Sequence, residues 1–162
     1  MPAMTDLPVD IVRSARRTKT AQAVINGGRI KVMVPARMPE AEVQRVAFEM
    51  SQKLLRKRSS HEVDLVDRAH RLARSHDLPR PSSIEWSPRQ NMRWGSCTPL
   101  TRSIRISDRL GSMPLWVLDY VIVHELAHLV IDGHGPEFDR IVDRYPLAER
   151  ARGYLMAKSE DE

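Results

Sequence analysis

Cysteine is almost missing from this chain: Cys97 is the only one in 162 residues. A lone thiol excludes an internal disulfide and fits a reducing compartment. It also excludes the usual Cys-rich structural zinc site. Long apolar runs are missing as well. No stretch reaches the roughly 18 uninterrupted apolar residues that a membrane span needs. Met1 to Asp10 has no basic segment followed by an apolar one, so it does not read as a signal peptide. These absences together lead us to expect a cytoplasmic protein without a membrane partner. Internal repeats and low-complexity stretches are not apparent.

What remains is enough for one real core: 41 % of the residues are hydrophobic and 29 % charged. We expect a single domain over residues 1–157, with a β-hairpin and helices in 1–78 and a catalytic core in 79–157. Residues 158–162 read as a disordered acidic tail. The net charge of +5 is uneven. Residues 1–80 hold 16 Lys and Arg against 9 Asp and Glu, and residues 81–162 hold 10 against 12. The basic clusters are Arg13, Arg16, Arg17 and Lys19, then Lys53, Arg56, Lys57 and Arg58, then Arg68, Arg71 and Arg74. Such a face attracts polyanions, which makes nucleic acid one partner to consider through the N-terminal half. A solvated helix surface is the plainer reading. No aromatics interleave with these charges, which argues against stacking on single strands.

The chemistry concentrates in His124-Glu125-Leu126-Ala127-His128-Leu129-Val130-Ile131-Asp132-Gly133-His134. Two His four apart lie on one face of a helix, with Cβ atoms about 5–6 Å apart. Such a pair can share one zinc ion. Glu125 is turned away from that line by about 100°. It can take a proton from an attacking water without binding the metal itself. A chain of this composition should contain the pattern by chance on the order of 0.01 times. The motif lies in an apolar stretch, Pro114–Ile131, which predicts a buried helix started by Pro114 and stopped at Asp132-Gly133. A buried helix does not carry two His and a Glu unless they are paired or bind something. A pair of hydrogen-bonded core histidines is the competing reading. His134, just past a Gly that can reverse the chain, is the expected third ligand, and Glu137 is the alternative. Three protein ligands leave the open position of a catalytic zinc site.

Other elements follow from local pattern. Asn26-Gly27-Gly28 between Ala21–Ile25 and Arg29–Val34 predicts a hairpin. Val43, Val46, Ala47, Met50 and Leu54 predict an amphipathic helix from Glu40 to about Lys57. Ser59 with Glu62 looks like a capping box for a second helix to about Ser75, with Val63, Val66, Ala69 and Ala73 as its face. His61, His70 and His76 around it read as ordinary surface or packing residues. Ile104 and Ile106 alternate with Ser103, Arg105 and Ser107 as a strand. Pro136 should open a helix holding Phe138, Ile141 and Val142, and Leu147 to about Met156 a last one. Cys97 reads as a small buried residue rather than a nucleophile.

Arg93-Trp94-Gly95-Ser96-Cys97, then Ile104-Arg105-Ile106, then Val117 to His128 resemble the YgjP-like family of small metal-dependent hydrolases. Asp132-Gly133-His134-Gly135-Pro136-Glu137-Phe138 is similar to the tail of SprT-like zinc metalloproteases. The match is dense over residues 91–146 and looser over 9–90. The resemblance implies an α+β minimal zincin, with a small, mostly antiparallel sheet packed on the helix that bears the motif. It implies one Zn2+ on His124, His128 and His134, with Glu125 as general base. It also implies an edge strand near Ile104 able to pair with a peptide, an ordinary core strand being the alternative. Ile131 stands where metzincins have Gly, so a metzincin fold is not implied. Arg93, Tyr145 and Tyr154 are candidates for a second electrophile, with Arg93 and Tyr145 as possible substrate or transition-state contacts. The function expected is a zinc-dependent peptidase acting on a peptide or protein substrate. A DNA-associated SprT-like protease and a non-peptide amide or ester hydrolase are the alternatives.

Overall fold

The computed structural model describes residues 7–160 and separates the chain into two compact units, Met1–Arg58 and Ser59–Glu162. Among the described residues are five α-helices and two three-stranded sheets, so the class is α+β.

Unit 1 contains β1 (Val9–Ser14), β2 (Gln22–Asn26), β3 (Arg29–Pro35) and most of α1 (Glu40–Glu62). The predicted hairpin is present. Gly27 and Gly28 both have positive φ, +58° and +74°. A two-residue loop with that geometry suits the right-handed twist of its strands and favours Gly at both places. β3 is the middle strand, antiparallel to β2 and parallel to β1. Its alternate residues Ile30, Val32 and Val34 are fully buried and cluster with Val43, Ala47 and Leu55 of α1. Burying side chains of this size stabilises by about 1.5–3 kcal/mol each.

The helix boundary near Ser59 differs from expectation. α1 runs on to Glu62, and α2 (Leu65–Ser75) starts later. Its cap is Asp64, whose carboxylate accepts from the Asp67 N–H at 3.0 Å. An Asp cap satisfies one of the free N–H groups of a helix start, so Ser59 and Glu62 are left inside α1. The buried face of α2 is Leu65, Ala69 and Ala73, while Val66 points outward.

Unit 2 places β4 (Ser83–Ser87), β5 (Gly95–Thr98) and β6 (Ser103–Ser107) in the order β4-β6-β5. β6 is parallel to β4 and antiparallel to β5. Both sheets are therefore mixed rather than mostly antiparallel, and β6 is a central strand rather than an edge. Its Ile104 and Ile106 are fully buried. They share a core with Val117, Leu118, Val121, Ile122 and Leu126 of α3 (Leu115–Ala127). α4 (Pro136–Val142) contributes Phe138 and Val142, and α5 (Ala148–Glu160) contributes Ala151 and Leu155. Lys158 to Glu160 thus continue α5, and Asp161 and Glu162 lie outside the described residues.

Two contacts hold α3 to its neighbours. Arg68 of α2 binds both carboxylate oxygens of Asp119, with Nη2 to Oδ2 at 2.9 Å. The Tyr145 hydroxyl donates to the Trp116 carbonyl at 2.9 Å. No helix among the described residues is long and apolar enough to cross a membrane.

Candidate active site

α3 ends at Ala127, four residues before the predicted stop. His128 caps it, and the chain tightens through Leu129 N–H to Leu126 O and Val130 N–H to Ala127 O, both 3.0 Å. Gly133 then takes φ +78° and turns the chain. This early stop brings the third imidazole back toward the first two. His124, His128 and His134 form the group whose ligand atoms all lie within 4.8 Å of one another. The Nε2 atoms of His134 and His124 are 3.2 Å apart. Glu137 is exposed on α4 and is not part of the group.

The protonation states suit a cation. Burial, reinforced by the neighbouring His128 and His134, pushes His124 down to about 4. Burial lowers His128 as well, against an opposing backbone hydrogen bond. That bond joins His128 Nδ1 to the Ile131 carbonyl at 3.3 Å. A carbonyl only accepts, so Nδ1 carries the hydrogen and Nε2 keeps its lone pair. Phe138, 1 % exposed, lies against all three rings, with centroids 4.9, 4.4 and 5.0 Å from His124, His128 and His134. Three imidazoles converging over an apolar floor are a donor set that fits a borderline-soft divalent metal and leaves an open position.

Glu125 is 5 % exposed, and burial raises it to about 7, with the Arg93 charge opposing. Its place depends on Gly95. A Cβ on Gly95 would sit 2.8 Å from Glu125 Oε1 and 2.9 Å from its Cγ. Any side chain there would displace the carboxylate, so the Trp94-Gly95-Ser96 run is a seat for Glu125. That seat is braced from behind. Buried Arg109 stacks on Trp94 at 4.0 Å and donates to the carbonyls of Gln90 and Arg93 at 3.1 and 3.2 Å.

The triad and Glu125 face a cleft of about 980 Å³. Arg93, Trp94, Gly95 and Cys97 line one wall, and Tyr120, Arg152, Leu155 and Met156 another. Arg93 therefore reaches the cleft. Tyr145 does not: it is buried, its hydroxyl is spent on Trp116, and its ring lies 5.9 Å from His76. Tyr145 follows α4, and its bond to the Trp116 carbonyl ties it to α3 at a point outside the cleft lining, which does not fit the expected substrate contact. Tyr154 packs edge-on to Trp116. Cys97 is half-buried, and its thiol is pushed up to about 11 by burial and by the Glu125 charge, so it is no nucleophile near neutral pH. His70 and His76 lie outside the cleft, and the His61 side chain is outside the described residues. Tyr120 and Arg152 were missed in the sequence. Tyr120 precedes His124 by four, the same spacing that joins the two histidines, and that signal could have found it.

A family model described as YgjP-like, metallopeptidase domain, matches residues 58–157. The chain belongs to the YgjP-like family. Neither the curated proteins nor the solved structures gave a match. The matched residues cover nearly all of unit 2, including every residue of the cleft up to Met156. A YgjP-like metallopeptidase domain implies a hydrolase that uses a metal and acts on a peptide or protein.

Proposed function

We propose that this YgjP-like chain is a zinc peptidase, with His124, His128 and His134 holding the metal and Glu125 acting as general base. The observation that carries the reading is the convergence of three imidazoles with a buried carboxylate on one cleft. Bound zinc supplies Lewis acidity, which acidifies water and polarises a carbonyl. The residues supply the rest. Glu125, raised to about 7, can accept a proton from the attacking water and later return it to the departing amine. The apolar wall around it excludes bulk water and strengthens that exchange. Arg93 faces the cleft beside Glu125 and can contact substrate oxygen atoms.

The test is removal and return of the metal. Protein stripped by a chelator should lose peptide hydrolysis and regain it with one equivalent of zinc. Hydrolysis that persists without metal would refute the reading.

One observation favours a second reading, a peptidase that works beside nucleic acid. Unit 1 holds 12 Lys and Arg against 5 Asp and Glu, and residues 11–39 contain seven cations and no acid. Such a stretch attracts phosphate, and binding of this kind weakens steeply with salt. Duplex binding that is absent at 50 mM salt would remove this reading. A non-peptide amide or ester substrate stays an alternative for the same chemistry.

A further inference from the structure

The cleft has a polar group that the mechanism above leaves without a task. Tyr120 is 7 % exposed yet lines the cleft, one helical turn before His124 and with its ring centroid 6.1 Å from that imidazole. Its polar neighbour is Arg152 of α5, whose guanidinium carbon is 5.7 Å from the Tyr120 ring. Arg152 is anchored in turn by Asp143, Nη2 to Oδ1 at 2.6 Å. A guanidinium has donors only, so whatever it gives the phenol is given to the phenol oxygen. The phenol hydrogen is then left over, and among the described residues the Tyr120 hydroxyl donates to no acceptor. With its oxygen taken by Arg152, the hydroxyl keeps one hydrogen to offer a group that enters the cleft.

We infer that the Tyr120 hydroxyl is a catalytic hydrogen-bond donor to the oxygen of the scissile carbonyl, held in place by the Arg152–Asp143 pair. As the carbonyl carbon becomes tetrahedral, negative charge gathers on that oxygen. A donor fixed in advance stabilises the charged form more than the carbonyl and so lowers the barrier. Glu125 lies against Gly95 and near the Arg93 charge on one wall, and Tyr120 lies beside Arg152 on another. The two walls thus divide the work: one handles the proton of the attacking water, the other the developing oxyanion. The inference rests on the peptidase reading and deepens it.

The test compares wild type, Tyr120→Phe and Glu125→Gln, each loaded with zinc. Three quantities are read: zinc affinity, hydrolysis of unfolded casein, and affinity for a phosphinic Ala-Ala pseudodipeptide, which mimics the tetrahedral oxyanion and needs no turnover. Tyr120→Phe keeps the ring and removes only the hydroxyl. It should lower kcat by about 10²-fold with KM within about twofold. Phosphinate affinity should fall by about 10-fold, and zinc affinity should not change. Equal phosphinate affinity and equal kcat in Tyr120→Phe, with Glu125→Gln inactive, overturn the Tyr120 assignment and leave the peptidase reading standing. Wild type that neither hydrolyses casein nor binds phosphinate overturns both. Loss of zinc in Tyr120→Phe also overturns it, because a donor to substrate has no hold on the metal.

Discussion

Unit 1 keeps its charges at the surface, and unit 2 takes them inside. In unit 1 the ion pairs Arg29–Asp10 and Arg13–Glu40 are exposed, and the buried cluster is purely aliphatic. Exposed pairs of this kind are worth about 0–1 kcal/mol each. The polar exception there is the Ser51 hydroxyl, buried without a partner. Unit 2 buries Glu125, Arg109 and Ser107, half-buries Arg68 with Asp119, and gathers three imidazoles at a cleft. Withdrawing such groups from water costs several kcal/mol for each charge unless partners offset it. Among the described residues the buried charges lie in unit 2, and the structure supplies offsets there: Arg68 for Asp119, carbonyls and Trp94 for Arg109. For Glu125 burial outweighs the opposing Arg93 charge, which leaves it near 7. The difference teaches where to expect chemistry: in the unit that accepts the cost of buried polarity.

Substitutions can break or sharpen that contrast, since those at the cleft of unit 2 should strike chemistry and those in unit 1 only stability. The largest effect belongs to the ligands. His124→Ala or His128→Ala should lose zinc outright at micromolar free metal, with activity gone as well. Metal content measured by plasma mass spectrometry checks this, and wild-type loading would refute the ligand set. Next comes Gly95→Ala, whose added carbon must push the Glu125 carboxylate aside. A shift of about 1 Å costs on the order of 10²-fold in rate, while zinc affinity should hold. Full activity in that variant would mean that Glu125 is not seated where its role needs it.

Arg68→Ala removes the brace on Asp119 without touching the cleft. Losing a charged hydrogen bond should destabilise by about 1.5–3 kcal/mol, read in urea unfolding. An unchanged midpoint would show the brace to be idle. The smallest effect is expected in unit 1. Gly28→Ala forces a side chain into φ +74°, at a cost of about 1–2 kcal/mol. It should leave kcat unaltered, and a kcat that falls with it would erase the contrast between the units.

The sequence made some of this legible and hid the rest for physical reasons. The hairpin at Gly27-Gly28 was readable because turn chemistry is local, and so were the buried faces of β3, β6 and α3. The parallel pairings β1 with β3 and β4 with β6 were not, since strands joined over long connections leave no local mark. α1 overran Ser59 because two caps competed within five residues and Asp64 prevailed. The convergence of His134 was readable from Gly133, but α3 stopped sooner than its apolar run suggested. Gly95 showed itself only once β5 and α3 met in space. The sequence pointed to Tyr145 and passed over Tyr120; which of them faces the cleft is decided by how α3 packs on its neighbours.

The most direct measurement is a search for new peptide ends. Wild type and Glu125→Gln, both with zinc confirmed bound, would be incubated with a mixture of unfolded proteins and read by mass spectrometry. The account predicts new ends with wild type and almost none with Glu125→Gln, a loss of about 10²–10⁴-fold in rate. New ends at equal rates in both would contradict the general-base role. No ends in either, with metal in place, would contradict the peptidase reading itself.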